Sequence, residues 1–207
     1  MDIEYRGENC IVIKYKKSAI VVDPTASLSV KEVTNPETII LLTKANDWAE
    51  NQKGFLVDMP GEYEYNDVSI KGIATHLHTD EAGKNSTMYR VEFDGVRMAI
   101  VGHTDAPLAD NDLEELGVID IVIVPVGGGG YTLDGRDAAT VVRQISPKVV
   151  IPTHFADSHI KYEVPQESVD EFVKTMSGNH EKTNSFKVKG LGSLPESLTV
   201  VELTRTA

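Results

Sequence analysis

The sequence predicts an α/β protein in which helices pack against two β-sheets. The first half of the 207-residue chain consists mainly of short apolar runs, each ended by Gly, Pro, Asn or Asp. The second half alternates strand-like with helix-like segments. Many strands followed by strand–helix–strand segments favour layered sheets and helices over a single doubly wound parallel sheet.

The predicted strands are separated by turn-forming residues. Two strands meet at Asp94-Gly95, a dipeptide that favours a tight hairpin turn because both central residues take a positive φ. Two apolar runs of the second half have the length and composition of buried strands. The predicted strands cover residues 10–15, 18–23, 38–43, 54–59, 68–74, 86–95, 96–102, 119–126 and 148–155.

Two segments of the second half have helical periodicity. In the first, Asp134 is placed to cap the helix and Pro147 to end it. In the second, Pro165 stands near the predicted start and Gly178 at the predicted end. The polar segment 177–185 between this helix and the last strands predicts a loop.

The charge of the chain excludes some classes of partner. Its 20 Lys and Arg against 32 Asp and Glu give a net charge of −12, which repels nucleic acid and anionic lipid. The N-terminus has no basic leader, and no apolar run approaches the roughly 20 residues that span a bilayer. We expect one cytoplasmic domain over residues 1–207, without nucleic acid or membrane partners. A small-molecule partner, a protein partner and a homo-oligomer remain open.

Motifs for common cofactors are few. Cys10 is the only cysteine, which excludes an internal disulfide and a Cys-rich metal site. The glycine run 127–130 lies between a predicted strand and helix, but it lacks the spacing of a dinucleotide-binding fingerprint. We therefore interpret this run as a strand-to-helix turn.

Histidines supply the candidate chemistry. His103 and His154 each follow an apolar strand, where a rigid sheet holds exposed polar groups. His76 and His78 are two residues apart, so on a strand their side chains would share one face, as paired imidazoles do when they bind one metal ion. These segments together predict a polar site at one edge of the core.

Several stretches between Met1 and about Phe155 match the motifs of one protein family, in the order in which the family has them. They include PGEYE (60–64), PVGG (125–128) and PKVVIPTH (147–154). Together they resemble the metallo-β-lactamase superfamily, and within it the small bacterial metal-dependent hydrolases related to L-ascorbate-6-phosphate lactonase. The resemblance implies a four-layer αββα sandwich with a dinuclear zinc site at one rim.

The ligand motifs of that family are altered in this chain. The family signature Thr-His-x-His-x-Asp-His aligns with residues 43–49. Thr43 matches the threonine, whereas the histidine and aspartate positions after it are substituted. The histidine of the family's Gly-His-Ser motif aligns with Glu8, whereas Asp23 matches. The substituted signature positions are Lys44, Asn46, Trp48 and Ala49.

The resemblance carries the remaining ligand positions onto histidines. The third histidine of the first metal aligns with His76 or His78, the bridging aspartate with His103, and the last ligand with His154. Zinc takes about four N, S or O donors, and an ammonium cannot ligate it. We therefore expect no cofactor, or at most one zinc or other divalent metal ion.

Two functions follow from this altered motif. The first is a metallo-β-lactamase-fold protein with a degenerate zinc site that acts as a binding or assembly module or catalyses a metal-independent reaction. The alternative is a mononuclear metal-dependent hydrolase of a lactone, ester or phosphoester that uses the remaining histidines. In the hydrolase, His76 or His78, His103 and His154, with Asp47 or Asp105, would hold the metal ion and activate water, and Asp47 and His154 are the candidate catalytic residues.

Lys44 raises a separate question, because it aligns with the first metal ligand. We expect its ammonium either to pair with Asp23, Asp47 or Glu8 inside the pocket or to point into solvent from a remodelled loop. In the first arrangement Trp48 would fill the remaining volume.

Overall fold

The computed structural model describes residues 1–28, 30, 34–45, 53–77 and 83–206. The strands of the first half are β1 (Asp2–Gly7), β2 (Cys10–Tyr15), β3 (Ser18–Val22), β4 (Ile39–Leu41), β5 (Phe55–Val57), β6 (Gly61–Tyr65), β7 (Val68–Thr75), β8 (Ser86–Phe93) and β9 (Val96–Ile100). The later elements are α1 (Asp110–Leu116), β10 (Ile121–Pro125), α2 (Gly135–Ile145), β11 (Val149–Thr153), α3 (Val169–Met176), β12 (Asn179–Thr183), β13 (Phe186–Lys187) and β14 (Thr199–Leu203).

These strands form two mixed sheets. The six-stranded sheet has the order β13-β1-β2-β3-β4-β5, and the eight-stranded sheet has the order β12-β14-β11-β10-β9-β8-β7-β6. Strands β3, β4 and β5 are parallel in the first sheet, and β9, β10, β11 and β14 are parallel in the second. The carboxyl ends of these parallel strands lie on shared sheet edges, where polar residues that follow the strands come together.

Burial explains why the two sheets associate. The inner core contains apolar side chains from both sheets, among them Ile11, Ile20, Tyr89 and Ile123. A second core lies between the eight-stranded sheet and the described helices, with Phe172 of α3 fully buried in it. The α/β arrangement with two sheets, as predicted, is therefore present. Within the described ranges, no helix has the length and apolarity needed to cross a membrane.

Local signals account for several elements. Asp94 and Gly95 take φ values of 45° and 77°, as predicted for the turn between β8 and β9. The Asp134 carboxylate accepts hydrogen bonds from two backbone N–H groups at the start of α2, so the predicted cap is confirmed. The next predicted helix is also present: α3 begins at Val169, shortly after Pro165, with Ser168 as its cap, and ends at Met176, just before Gly178.

The polar segment that we predicted to be a loop, 177–185, contains a strand. Its residues Asn179–Thr183 form β12, which pairs in parallel with β14 at the edge of the eight-stranded sheet. Its side chains are largely exposed, so no apolar alternation marks the strand. The prediction failed because backbone pairing at a sheet edge does not require a buried face.

Candidate active site

A cleft of about 430 Å³ opens at the rim where strands of both sheets end. The turn after β1, the ends of β3 and β4, and the residues after β9 and β11 contribute to its walls. The glycine loop after β10 and the segment 156–167 complete it. The charged and aromatic side chains that line the cleft are Glu8, Asp23, Lys44, His103, Tyr131, His154, Lys161, Tyr162 and Glu163.

Asp23 forms the floor of one end of the cleft, where two hydrogen bonds from Thr43 hold it. The Thr43 backbone N–H donates to Asp23 Oδ1 at 2.7 Å, and the Thr43 hydroxyl donates to Asp23 Oδ2 at 2.6 Å. Burial raises the pKa of Asp23 to about 7, against the opposing effect of these two hydrogen bonds. Its backbone takes a left-handed φ of 41°, an unusual conformation for a non-glycine residue.

His103 contacts this floor from the other sheet. Its Nδ1 lies 2.8 Å from Thr43 Oγ1, and its Nε2 lies 3.4 Å from Asn9 Nδ2. The preceding Gly102 makes the approach feasible, because a Cβ on Gly102 would lie 2.3 Å from the Thr43 side chain. Both ring nitrogens of His103 therefore face polar groups of the protein.

His154 occupies the other end of the cleft. It follows β11, is almost fully buried, and takes a left-handed φ of 52°. Its backbone N–H donates to the carbonyl oxygen of Glu8 at 2.7 Å, which ties the end of β11 to the turn after β1. Strained backbone of this kind persists only where the surrounding structure enforces it.

Gln166 determines which nitrogen of His154 carries the proton. The Gln166 Nε2 amide donates to the Val164 carbonyl at 2.9 Å, which directs Oε1 toward His154 Nδ1 at 3.0 Å. An amide oxygen only accepts, so Nδ1 donates and the lone pair lies on Nε2. Burial lowers the pKa of His154, although the Gln166 bond opposes the shift, so the neutral imidazole is favoured.

The glycine run supports His154 rather than a phosphate group. A Cβ on Gly127 would lie 1.8 Å from the His154 carbonyl oxygen and 2.4 Å from Gln166 Oε1. The start of α2 is already capped by the Asp134 carboxylate, which repels an anion. The interpretation of this run as a structural turn agrees with both observations.

Tyr131 lies close to both histidines. Its ring centroid is 5.8 Å from that of His103 and 5.8 Å from that of His154. Burial, with the carboxylates of Glu163, Glu8 and Asp23, raises the pKa of Tyr131, so its hydroxyl keeps its proton near neutral pH. The hydroxyl can therefore serve as a hydrogen-bond donor.

Lys44 is exposed, and its ammonium lies 5.2 Å from the centroid of the Tyr131 ring. It forms no ion pair with Asp23 or Glu8, so the predicted buried pairing with these two carboxylates is wrong. The physical reason is that Thr43 already satisfies Asp23, whereas Lys44 points toward the open mouth. Pairing with Asp47 lies outside the described residues.

The segment 156–167 forms one wall of the cleft and supplies Gln166. The Ala156 N–H donates to the Glu167 carbonyl at 2.9 Å, and the Glu167 N–H donates to the Gly127 carbonyl at 2.8 Å. Both ends of the segment are thereby held beside the glycine loop. No sequence motif marked Gln166, because its contact with His154 depends on the path of this segment.

The structure separates the predicted site residues into three groups. His103, His154, Glu8 and Lys44 line the cleft, as the predicted convergence of strand ends requires. His76 does not line it: this residue follows β7 with an exposed side chain, and its carbonyl oxygen accepts from the backbone N–H of Asp105 at 2.8 Å. The predicted residues outside the described ranges are Asn46, Asp47, Trp48, Ala49 and His78.

The described side chains of the cleft do not meet the requirements of a zinc ion. Across the described ranges, no three His, Cys, Asp or Glu side chains are grouped closely enough to hold a metal ion. His103 faces Thr43 and Asn9, and the Asp23 carboxylate accepts two hydrogen bonds from Thr43. The described residues therefore do not fit a metal site, and the predicted roles of Asp47 and His78 stay predictions.

Comparison with known proteins gives a family model and relatives, some of which are named metal-dependent hydrolases. Residues 2–154 match the family model described as the β-lactamase superfamily domain. A Lysinibacillus sphaericus protein named UPF0173 metal-dependent hydrolase is 26% identical over 195 residues, covering 75% of this chain and 85% of the relative. A UPF0173 protein of Pyrococcus furiosus is 28% identical over 130 residues, covering 63% of this chain, which spans only 57% of that relative.

Solved structures show the same fold. A Thermotoga maritima protein of the metallo-β-lactamase superfamily has a TM-score of 0.74 and 26% identity, with 98% of this chain and 99% of that chain covered. A metallo hydrolase from Ignicoccus hospitalis has a TM-score of 0.64 at 16% identity, covering 91% of this chain and 99% of that one. The predicted αββα fold class is thereby confirmed. The chain belongs to the metallo-β-lactamase superfamily, in the branch of small proteins whose relatives are named metal-dependent hydrolases.

Proposed function

We propose that this protein is a hydrolase that cleaves a small lactone, carboxylic ester or phosphoester in the cleft, with His154 as the general base. The single observation that carries the proposal is the orientation of His154. Gln166 holds Nδ1 as the donor, which leaves the lone pair on Nε2 of a buried, neutral imidazole beside the cleft. The names of the relatives favour hydrolysis over a purely binding role.

The proposed reaction needs a proton acceptor and groups that stabilise negative charge. His154 Nε2 accepts a proton from water as the water oxygen attacks the carbonyl carbon or phosphorus. The Tyr131 hydroxyl, which keeps its proton, and the Lys44 ammonium are available to stabilise the developing oxyanion. The imidazolium then returns its proton to the leaving oxygen, so His154 ends each cycle neutral.

The test is a substrate panel with matched histidine variants. Wild-type protein, His154→Gln and His159→Gln are assayed with p-nitrophenyl acetate, p-nitrophenyl phosphate and γ-butyrolactone. His159 is an exposed histidine on the same segment, and it controls for general loss of an imidazole. We expect His154→Gln to lose about 10²- to 10⁴-fold in rate and His159→Gln to match wild type. Undiminished turnover by folded His154→Gln would overturn the role of His154.

Metal dependence is measured in the same panel. Each protein is assayed after removal of metal by a chelator and after addition of zinc or manganese. Activity retained after chelation supports hydrolysis with His154 as the general base and without a metal ion. Activity that appears only with metal would favour the mononuclear metal-dependent hydrolase and direct attention to Asp47 and His78.

A second candidate function is ligand binding without turnover. The observation that favours it is the commitment of Asp23 and His103 to hydrogen bonds within the protein. Such a protein would turn over no member of the panel, yet a ligand bound in the cleft would raise its melting temperature. Sedimentation velocity with and without that ligand would test the homo-oligomer.

A further inference from the structure

Thr43 is a hydrogen-bonding hub in which every polar atom has a partner. Its N–H and hydroxyl both donate to Asp23, at 2.7 and 2.6 Å. Its Oγ1 also lies 2.8 Å from His103 Nδ1. Its carbonyl oxygen accepts from the backbone N–H of Thr87 at 2.9 Å and from the hydroxyl of Ser86 at 3.0 Å. Thr43 itself is 1% exposed, so water does not compete for these contacts.

These bonds connect the two sheets. Asp23 and Thr43 follow β3 and β4 of the six-stranded sheet, whereas Ser86 and Thr87 begin β8 and His103 follows β9 of the eight-stranded sheet. The cluster therefore crosses the interface between the sheets at the rim of the cleft. The second nitrogen of His103 extends the contact to the turn after β1, through Asn9 at 3.4 Å.

The donors and acceptors of the cluster are mutually consistent. The Thr43 hydroxyl has one hydrogen, and above about pH 7, where Asp23 is ionised, its carboxylate can only accept it. Thr43 Oγ1 then accepts from His103 Nδ1–H, and the Nε2 lone pair of His103 accepts from the Asn9 amide. The lone pair of the His103 imidazole is therefore used within the protein, and each oxygen of the Asp23 carboxylate already accepts a hydrogen bond from Thr43.

We propose that the cluster of Asp23, Thr43 and His103 is a metal-independent cross-link between the two sheets, which takes the structural place of a metal ion at this rim. The mismatch between the described donors and a zinc site follows from this arrangement. The inference does not depend on hydrolysis by His154. It holds or fails on stability and metal content, whereas the proposed hydrolase holds or fails on turnover.

The central test replaces the hydroxyl of Thr43. Thr43→Val keeps the branched shape but removes the hydroxyl, so Asp23 Oδ2 and His103 Nδ1 both lose a buried hydrogen bond. Thr43→Ser keeps the hydroxyl and loses only a methyl group, which makes it the matched control. We expect the melting temperature to fall by roughly 5 to 15 °C in Thr43→Val and by about 2 to 4 °C in Thr43→Ser. Equal melting temperatures of the two variants would overturn the proposal.

Metal removal supplies the second measurement. Purified wild-type protein is melted after chelation and after addition of zinc, and its zinc content is determined before treatment. We expect less than about one zinc per chain and an unchanged melting temperature, since a metal that binds the native state would raise it. A melting temperature lowered by chelation would overturn the proposal.

A third measurement, on wild-type protein, tests the proposal even if Thr43→Val does not fold. The ¹⁵N spectrum of the wild-type histidines reports which ring nitrogen of His103 carries the proton. A protonated Nδ1 that is unmoved by zinc supports the cross-link. A His103 signal shifted by stoichiometric zinc rejects it.

Discussion

His103 and His154 occupy similar places in the fold but have different surroundings. Each follows a parallel strand of the eight-stranded sheet, and each ring lies 5.8 Å from Tyr131. His103 contacts Thr43 and Asn9 through its two nitrogens, whereas His154 is held at Nδ1 by Gln166. The difference shows that the position after an apolar strand brings a histidine to the rim, while its partners determine what it can do there.

The backbone conformation at His154 also differs from that at His103. His154 has a left-handed φ, and its N–H and carbonyl oxygen contact Glu8 and Gly127 closely. At the other end of the cleft, the left-handed residue next to His103 is Gly102, where no Cβ opposes that conformation. At the His154 end the strained residue is the histidine itself, whereas at the His103 end it is Asp23, with a φ of 41°.

The largest loss of stability is expected from a substitution at Gly127. Gly127→Ala would place a Cβ 1.8 Å from the His154 carbonyl oxygen, so the backbone of the rim must move. We expect a loss of about 3 kcal/mol or more in the free energy of unfolding, at the upper end of the cost of overpacking, together with loss of activity. Urea unfolding monitored by circular dichroism measures it.

Gly130→Ala is the matched control for that change. Gly130 has a φ of 71°, but a Cβ there would meet no atom within 4 Å. The variant should lose only about 1 to 2 kcal/mol, from the left-handed backbone. Equal losses at the two positions would mean that Gly127 is not packed against His154 as described.

A smaller effect is expected at Gln166. Gln166→Met keeps the length of the side chain but removes the acceptor for His154 Nδ1–H, whereas Gln166→Glu keeps an acceptor. If His154 is the base, Gln166→Met should reduce kcat by about 10- to 100-fold with little change in KM, by analogy with other groups that orient a working histidine. Gln166→Glu should lose much less.

The ¹⁵N shifts of His154 give an independent reading for these variants. Wild type and Gln166→Glu should show a protonated Nδ1, and Gln166→Met a mixture of the two tautomers. An unchanged tautomer in Gln166→Met would contradict the orienting role, whether or not a substrate is found.

Much of the fold was predictable because burial leaves a periodic trace in sequence. The apolar runs that became β2, β3, β10 and β11 were located to within a few residues. Helix α1 and strand β6 were not predicted. Strand β6 alternates half-buried with exposed residues, and α1 is only 7 residues long, so neither produces a strong signal.

The candidate site was predictable in part for a related reason. Parallel strands end at one edge, so the approach of His103 and His154 to the same rim follows from their places after β9 and β11. The roles of Gln166 and Gly127 could not be predicted, because they depend on where the segment 156–167 crosses the rim. The exposed position of His76 could not be predicted either, because the likeness to a ligand motif does not fix the direction of a side chain.

The smallest loss of stability is expected from a substitution at Lys44, although its neighbour Thr43 is expected to give one of the largest. Lys44 is exposed, and its described interaction is with the face of the Tyr131 ring at 5.2 Å, a contact that contributes about 0.5 to 1 kcal/mol at exposed sites. Lys44→Met keeps most of the stem and deletes the charge, so we expect at most about 1 kcal/mol of lost unfolding free energy. Breaking a buried ion pair would cost about 3 to 5 kcal/mol instead.

Adjacent positions make this a sensitive comparison. Thr43→Val and Lys44→Met change neighbouring residues of one rim, yet only Thr43 connects the two sheets through Asp23 and His103. Denaturant unfolding of both variants beside wild type should therefore give a large loss at position 43 and a small one at position 44. A loss of 3 kcal/mol or more in Lys44→Met, using the threshold for a buried pair, would show that the ammonium is paired with a carboxylate such as Asp47. In that case charge pairing, and not the hydroxyl of Thr43 alone, would hold this end of the cleft together.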